Sequence, residues 1–292
     1  MAFDLAAFKR NQLIYETTAT ALRIQLDCKK IAEYDRQIEK RSQLAIALMV
    51  MGGLMAFLAV VMAEALEPIP FLLAAALLAA GFILKSRWQR LNIPNLRYQL
   101  VQALVDTLSR DTAPSTPFAL KLDCSDCIQA RKKVETLPHP TRHRWQIDRF
   151  CDRWLVLNGR FADGTDFALS LTELAVSKYG WKRSRSGKSK FKRKNKPKGL
   201  EIVLELQFPR KRYGAVQVLC SDIQAAIKLP ADIRLKGIKC SDQRLSLSVK
   251  APPAWLEATR LHSLITQLFL SAYQVLNLAK QLSQPTVSGG TS

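Results

Sequence analysis

Two stretches of the chain carry no charge, the twenty residues from Leu44 to Ala63 and the seventeen from Pro68 to Leu84. About twenty apolar residues rising 1.5 Å each cross a hydrocarbon core, and about seventeen is the lower limit. The pattern therefore predicts a tight hairpin of two transmembrane helices turned at Glu64 to Glu67, with a buried soluble helix pair as the alternative. The first run follows forty-three mostly polar residues, and no small-residue cleavage motif precedes the second, so a cleavable signal peptide is not expected. Lys40 and Arg41 precede the hairpin, Lys85, Arg87 and Arg90 follow it, and the turn carries only acids, which predicts both termini on the cytoplasmic side. Gly52, Gly53, Ala74, Ala75, Ala76, Ala79, Ala80 and Gly81 leave room for close helix contact. Neither run contains an ionisable residue, so the hairpin reads as an anchor and not as a transport path.

Helical periodicity flanks the hairpin. Ile14, Thr17, Ala21, Ile24, Cys28, Ile31, Asp35 and Ile38 recur at spacings of three and four, the seam of a coiled coil with two polar interruptions. Beyond the hairpin, Pro94 ends one helical piece and Asn95 can cap the next. There Leu96, Leu100, Val101, Leu104, Val105 and Leu108 form an apolar stripe. The two stripes are expected to pair as an antiparallel stalk, or to lie on the globular domain or in a second copy's stalk.

After the linker Asp111 to Pro117 the period changes to two. Strands are predicted at Trp154 to Phe161 and Asp166 to Leu171 around the hairpin signal Asp163-Gly164. Others are expected at Leu200 to Phe208, Ala215 to Leu219 and Arg244 to Lys250. A short helix is expected over Ser125 to Leu137, and a long one from about Ala254 to Leu282, before a loose tail. The fold class is thus a membrane protein with a two-helix transmembrane hairpin, flanking cytoplasmic helices with a coiled-coil stalk, and a C-terminal α+β domain with a mainly antiparallel sheet. Its divisions are 1–43 (cytoplasmic amphipathic helix), 44–84 (hairpin), 85–110 (membrane-proximal helix), 111–283 (basic α+β domain) and 284–292 (tail). Such a protein belongs in a bacterial inner membrane or an equivalent organellar membrane.

Charge sharpens this picture. The 292 residues carry a formal net charge of +20, and half of that excess lies in the seventeen residues from Lys182 to Lys198, which hold ten cations and no acid. Written as a strand, Lys188, Lys190, Lys192, Lys194, Lys196 and Lys198 share one side, with Trp181 and Phe191 among the charges. Residues 175–185 and 188–206 can form one β-ribbon turned at Ser186-Gly187, in which Pro197 marks an edge or an interruption; a flexible loop from Ser184 is the alternative. The residues expected to meet a polyanion are Lys182, Arg183, Arg185, Lys188, Lys190, Lys192, Arg193, Lys194, Lys196 and Lys198, with Trp181 and Phe191. Nucleic acid or a nucleoprotein particle fits them first, because cations match phosphates and aromatic rings stack on unpaired bases. Anionic lipid head groups come second: a stalk of about fifteen residues is roughly 22 Å long, while the field of the lipid decays over about 8 Å. A solvated run that only aids solubility is the bland reading.

Cys124, Cys127, His139 and His143 are spaced C-x2-C-x11-H-x3-H, near a zinc-finger spacing, but Pro138 and Pro140 oppose a helix at His139. The expectation is no cofactor, with structural zinc or a Cys124/Cys127 redox pair as alternatives, and the six cysteines as reduced core thiols. No phosphate-cradling glycine loop, His-Glu-x-x-His or Gly-x-Ser-x-Gly occurs. His262 reads as structural, and Asp163 and Asp166 read as turn residues. The leading expectation is a membrane-anchored, non-enzymatic binding or scaffold protein, followed by a self-associating organiser of anionic membrane, then a redox or zinc-dependent protein.

Overall fold

A computed structural model describes residues 3–61, 69–183, 187–214, 216–220, 227 and 229–283. The turn at Glu64 to Glu67, Pro68, Arg185 with the ribbon tip, Ala215 and the tail from residue 284 lie outside the described residues. The chain divides into two compact units, Leu26 to Asn95 and the remainder. In chain order, a short helix α1 (Leu5–Arg10) leads into strand β1 (Ile14–Ala19), then α2 (Ala21–Val61), α3 (Ile69–Gln89) and α4 (Asn95–Ser109). The strands β2 (Phe118–Asp123), β3 (Lys133–Pro138), β4 (Trp145–Arg160), β5 (Asp166–Arg183) and β6 (Ser189–Gln207) follow. After them come α5 (Arg210–Tyr213), β7 (Arg234–Cys240), β8 (Arg244–Ala251) and α6 (Ala258–Leu282).

In the Leu26 to Asn95 unit, α2 and α3 are a long apolar pair, each long and apolar enough to cross a membrane. Only 11% of the most apolar window of each helix is buried. Phe57, Leu72 and Phe82 are among the side chains that stand exposed. The two helices touch through small residues: a Cβ added to Gly52 would lie 3.1 Å from the Ala74 carbonyl oxygen, and one on Gly81 would lie 3.0 Å from that of Ala45. The buried stripe on α2 runs through Ile24, Cys28, Ile31, Asp35 and Ile38. Its polar member has a task, since the Asp35 carboxylate accepts the Ile93 backbone N–H at 3.0 Å.

The start of the predicted seam is corrected. Ile14 and Thr17 lie in β1, which pairs antiparallel with β2 from Ile14↔Asp123 to Ala19↔Phe118. The stretch Ile14 to Thr18 is rich in β-branched and aromatic residues, and a six-residue run fits either period until a partner strand claims it.

The second unit is built on one antiparallel sheet of eight strands in the order β1-β2-β4-β5-β6-β8-β7, with β3 added beside β4. One face buries Leu155, Leu157, Leu169, Leu171, Ile202, Leu204 and Leu206. Helix α6 covers it, with Phe269 5.6 Å from Phe167 and 5.9 Å from Phe161 between ring centroids. Helix α4 is tied to α6 where Thr107 Oγ1 meets His262 Nε2 at 2.8 Å. Consecutive Trp154 and Leu155 are both buried, because the register shifts between Arg153 and Leu155 and leaves Trp154 as the extra residue of a bulge. At the β4–β5 turn, Asp163 receives the Tyr213 and Tyr273 hydroxyls and the Thr165 N–H.

Two further expectations are corrected. Ser125 to Leu137 is not a helix: it makes a 3-10 turn at Ala130–Lys132 and then β3. The Asp123 carboxylate accepts both the N–H and the hydroxyl of Ser125, a local bond that competes with helix. Val216–Leu219 is a 3-10 turn and not a strand, four residues being too few for alternation to carry meaning.

Candidate functional site

Core residues Leu200, Ile202, Leu204 and Leu206 and the lysines from Lys190 to Lys196 all occupy even positions on β6. In an unbroken strand they would share a face. The register shifts between Leu174 and Ala175, where Gly199 pairs with Leu174, Pro197 pairs with Ala175, and Lys198 is left as the extra residue. Gly199 there adopts φ +117, and a Cβ would lie 2.3 Å from the Ala251 carbonyl oxygen. This bulge swaps the parity of β6, so the lysines point away from the core face.

Beyond the bulge β5 and β6 continue as a ribbon. Its pairs Lys182↔Lys190, Gly180↔Lys192, Lys178↔Lys194 and Val176↔Lys196 share the side opposite the core. Six lysines therefore line one face, spaced about 6.6 Å apart along β6, about 13 Å apart along β5 and about 5 Å across the pair, and no carboxylate from either strand stands among them. Lys178 and Lys182 supply a second row, and Lys178 lies outside the basic run that drew attention in the sequence. Lys188 precedes the strand and Lys198 is the bulge residue, so these two leave the expected row. Pro197 lies on the free edge of β6, since pairing with β8 begins only at Leu200, and its missing N–H leaves no ladder bond unmade.

The aromatic residues do not lie among the lysines. Trp181↔Phe191 and Tyr179↔Arg193 occupy the other side of the ribbon. There the Trp181 and Phe191 rings sit 5.7 Å apart, and Arg193 stacks 5.2 Å from the Tyr179 ring. Trp181 and Phe191 are both more than half exposed. Arg183 continues this side, while Arg185 is outside the described residues. The aromatic residue on the lysine side is Trp145 of β4, opposite Gly180. Sequence reasoning missed it because only the β4–β5 register brings it there.

The ribbon is rooted in a buried ion network. Arg97 of α4, 1% exposed, donates to Asp152 at 2.7 Å, Glu173 at 3.1 Å and the Asp123 carbonyl oxygen at 2.7 Å. Lys132 joins Asp152 at 2.8 Å, and Arg131 reaches Asp123 at 2.8 Å. Burial pushes the Glu173 carboxyl up, against the pull of Arg97. Burial also acts to raise Asp123, but hydrogen bonds from Ser125 and the charge of Lys132 outweigh it and hold that carboxyl low.

Cys127, Asp152 and Glu173 bring ligand-type atoms within 4.8 Å of one another. They are poor metal ligands as arranged. Arg97 and Lys132 already neutralise the carboxylates, and burial, with the Glu173 and Asp152 charges, pushes the Cys127 thiol up to about 12, so the ligating thiolate is disfavoured. Cys124, Cys127, His139 and His143 do not converge into such a cluster among the described residues. Cys124 and Cys127 are buried, whereas His139 sits on the β3–β4 turn, its Nδ1 accepting the Thr141 N–H at 3.2 Å. The expectation of six reduced thiols is corrected for two of them: Cys220 and Cys240 form a disulfide, while Cys28, Cys124 and Cys127 are buried outside any disulfide and Cys151 is exposed.

Compared with family models, with curated proteins and with solved structures, the chain matches none of them.

Proposed function

We propose that this is a membrane-anchored, non-enzymatic binding protein whose lysine face engages nucleic acid, free or within a nucleoprotein particle. The observation that carries this reading is the face itself: Lys178, Lys182, Lys190, Lys192, Lys194 and Lys196 on one side of the ribbon beyond the bulge, where residues 175–183 and 189–198 include no acid. Six like charges held together repel one another and add nothing to folding, so their arrangement is best accounted for by a polyanion whose counterions they displace. A lipid surface fits less well. Interfacial insertion uses aromatic rings and cations on one leading surface, and here Trp181 and Phe191 stand on the side opposite the lysines. The anchor rests on the exposed apolar surfaces of α2 and α3, and on Arg41 stacked 4.9 Å from the Trp88 ring at the charged end of the pair, a pairing suited to a membrane–water boundary.

The test uses the full chain in nanodiscs of neutral lipid, titrated at several salt concentrations with single-stranded RNA, duplex DNA and, separately, anionic liposomes. A variant with the six lysines changed to Gln runs beside it. Nucleic acid should bind with a steep salt dependence, and the slope should fall in the variant by about 0.7 to 0.9 for each phosphate that is no longer neutralised. Binding to liposomes alone, or an unchanged slope in the variant, sinks the proposal.

A further inference from the structure

The β3–β4 turn borders an open cavity of about 640 Å³, within the range of about 300–1,000 Å³ typical of small-ligand sites. Leu137, His139, Arg142, His143, Arg144 and Trp145 line it, and no acid does. Two of these residues tie the cavity to the lysine face. Trp145 pairs with Gly180, which pairs with Lys192, and Leu137 pairs with Ile147, then Lys178, then Lys194.

The cavity is built around a fixed aromatic plane. A Cβ on Gly180 would lie 2.6 Å from the Trp145 ring, so only glycine lets the indole lie flat across the ribbon. The indole N–H donates to the Trp181 carbonyl oxygen at 3.0 Å, and the Arg142 guanidinium covers the ring at 4.7 Å. His139 stands edge-on at 6.2 Å from Trp145, and its backbone N–H donates to the Trp145 carbonyl oxygen at 2.9 Å. Arg144 holds the turn in the left-handed region at φ 62, which is uncommon for a residue with a side chain. Among the described residues, no carboxylate pairs with Arg142 or Arg144. Slight desolvation and the charges of Lys178 and Arg142 hold the His139 imidazole below its usual range, which places the turn inside the same positive field.

A planar guanidinium stacked on indole offers a platform for a base, and the unpaired cations offer a place for its phosphate. We infer that this cavity takes one unpaired nucleotide of a strand whose phosphates follow the lysine face, and so makes the protein selective for single-stranded over duplex nucleic acid. The inference rests on the nucleic-acid reading. Duplex bases are stacked and paired and cannot enter, whereas the phosphates of either form meet the lysines equally.

The experiment again uses the full chain in neutral nanodiscs, with a twelve-nucleotide RNA carrying one photoreactive uridine, and a duplex of the same length. The variants are the doubly substituted H139A/R142A, on an exposed turn, and Trp145→Phe, which keeps a ring over Gly180. Single strand should bind at least about tenfold tighter than duplex, the ratio that one stacked base supplies. H139A/R142A should lose that preference while its duplex affinity stays within about twofold, and the cross-link should fall within residues 137–145. Equal affinity for the two forms, an unchanged preference in H139A/R142A, or a cross-link confined to Trp181 and Phe191 overturns the inference and leaves the lysine reading standing. If changing the six lysines has no effect on either nucleic acid, the lysine reading fails and this inference falls with it.

Discussion

Arg97 carries a full charge into the interior beside the Trp154 ring, 5.3 Å away, and the neighbouring carboxylates make that tolerable. Removing one partner of a buried ion network leaves the others uncompensated, at a cost of about 3–5 kcal/mol. Arg97→Met should lower the stability of the detergent-solubilised chain by about that amount in urea unfolding, and a loss below about 1 kcal/mol would show that water already reaches Asp152 and Glu173. The two perturbed carboxyls in this network act with opposite sign. Asp123 is held low, so its contribution is present above its unfolded value of about 3.9 and is lost as pH falls through its lower folded value. Glu173 is held high, so it contributes least at alkaline pH, and stability rises as pH falls through its raised folded value toward about 4.3. Glu173→Gln should therefore be as stable as the natural chain or more so at pH 8, and should lack that gain on acidification. A large destabilisation at pH 8 would instead mean that the ion pair with Arg97 outweighs the burial of the charge.

At the scale of the element, β6 does two jobs with one parity, and the bulge at Lys198 and Gly199 makes both possible. Gly199→Val places a branched side chain at φ +117 against the backbone of Ala251, which cannot yield as a flexible side chain would. It should cost about 1–3 kcal/mol or more and should weaken RNA binding along with hydrogen-exchange protection in residues 189–199. Full binding with unchanged protection would show that the lysines reach their face without the bulge. The ribbon part of β6 is also a free edge, and lysines with Pro197 along an edge discourage pairing with a second chain. That structural benefit accounts for charge on the edge. It does not account for Lys178 and Lys182, which lie on the inner strand β5.

For the whole molecule, we propose from the cations flanking the apolar helices that both termini lie on the cytoplasmic side, where thiols are commonly kept reduced and a disulfide is unusual. The Cys220–Cys240 disulfide closes a separation of 20 residues, enough to add about 3 kcal/mol when oxidised. The disulfide predicts that both cysteines resist maleimide in freshly isolated membranes until a reductant is added, and that reduction lowers the unfolding midpoint of the purified protein. Labelling of both without a reductant would show that the bond is open in the membrane, as a reducing compartment would keep it.

The sequence by itself determined the long apolar helix pair, the change from helical to strand period after Asp111, the strands at Leu200 to Phe208 and Arg244 to Lys250, and the covering helix α6. Each is a long run whose burial pattern repeats within one element, so local periodicity suffices to read it. Tertiary structure decided what depends on partners. A strand partner turned Ile14 to Ala19 into β1. A local Asp123–Ser125 bond and pairing with β4 turned the expected helix into a turn and β3. The bulge at Lys198, a one-residue change of register invisible to alternation, set which side the lysines take. Lys178 and Trp145 joined that side only through cross-strand register, because residues far apart in the chain, such as Trp145 and Gly180, become neighbours by pairing, and no local pattern encodes which strands pair.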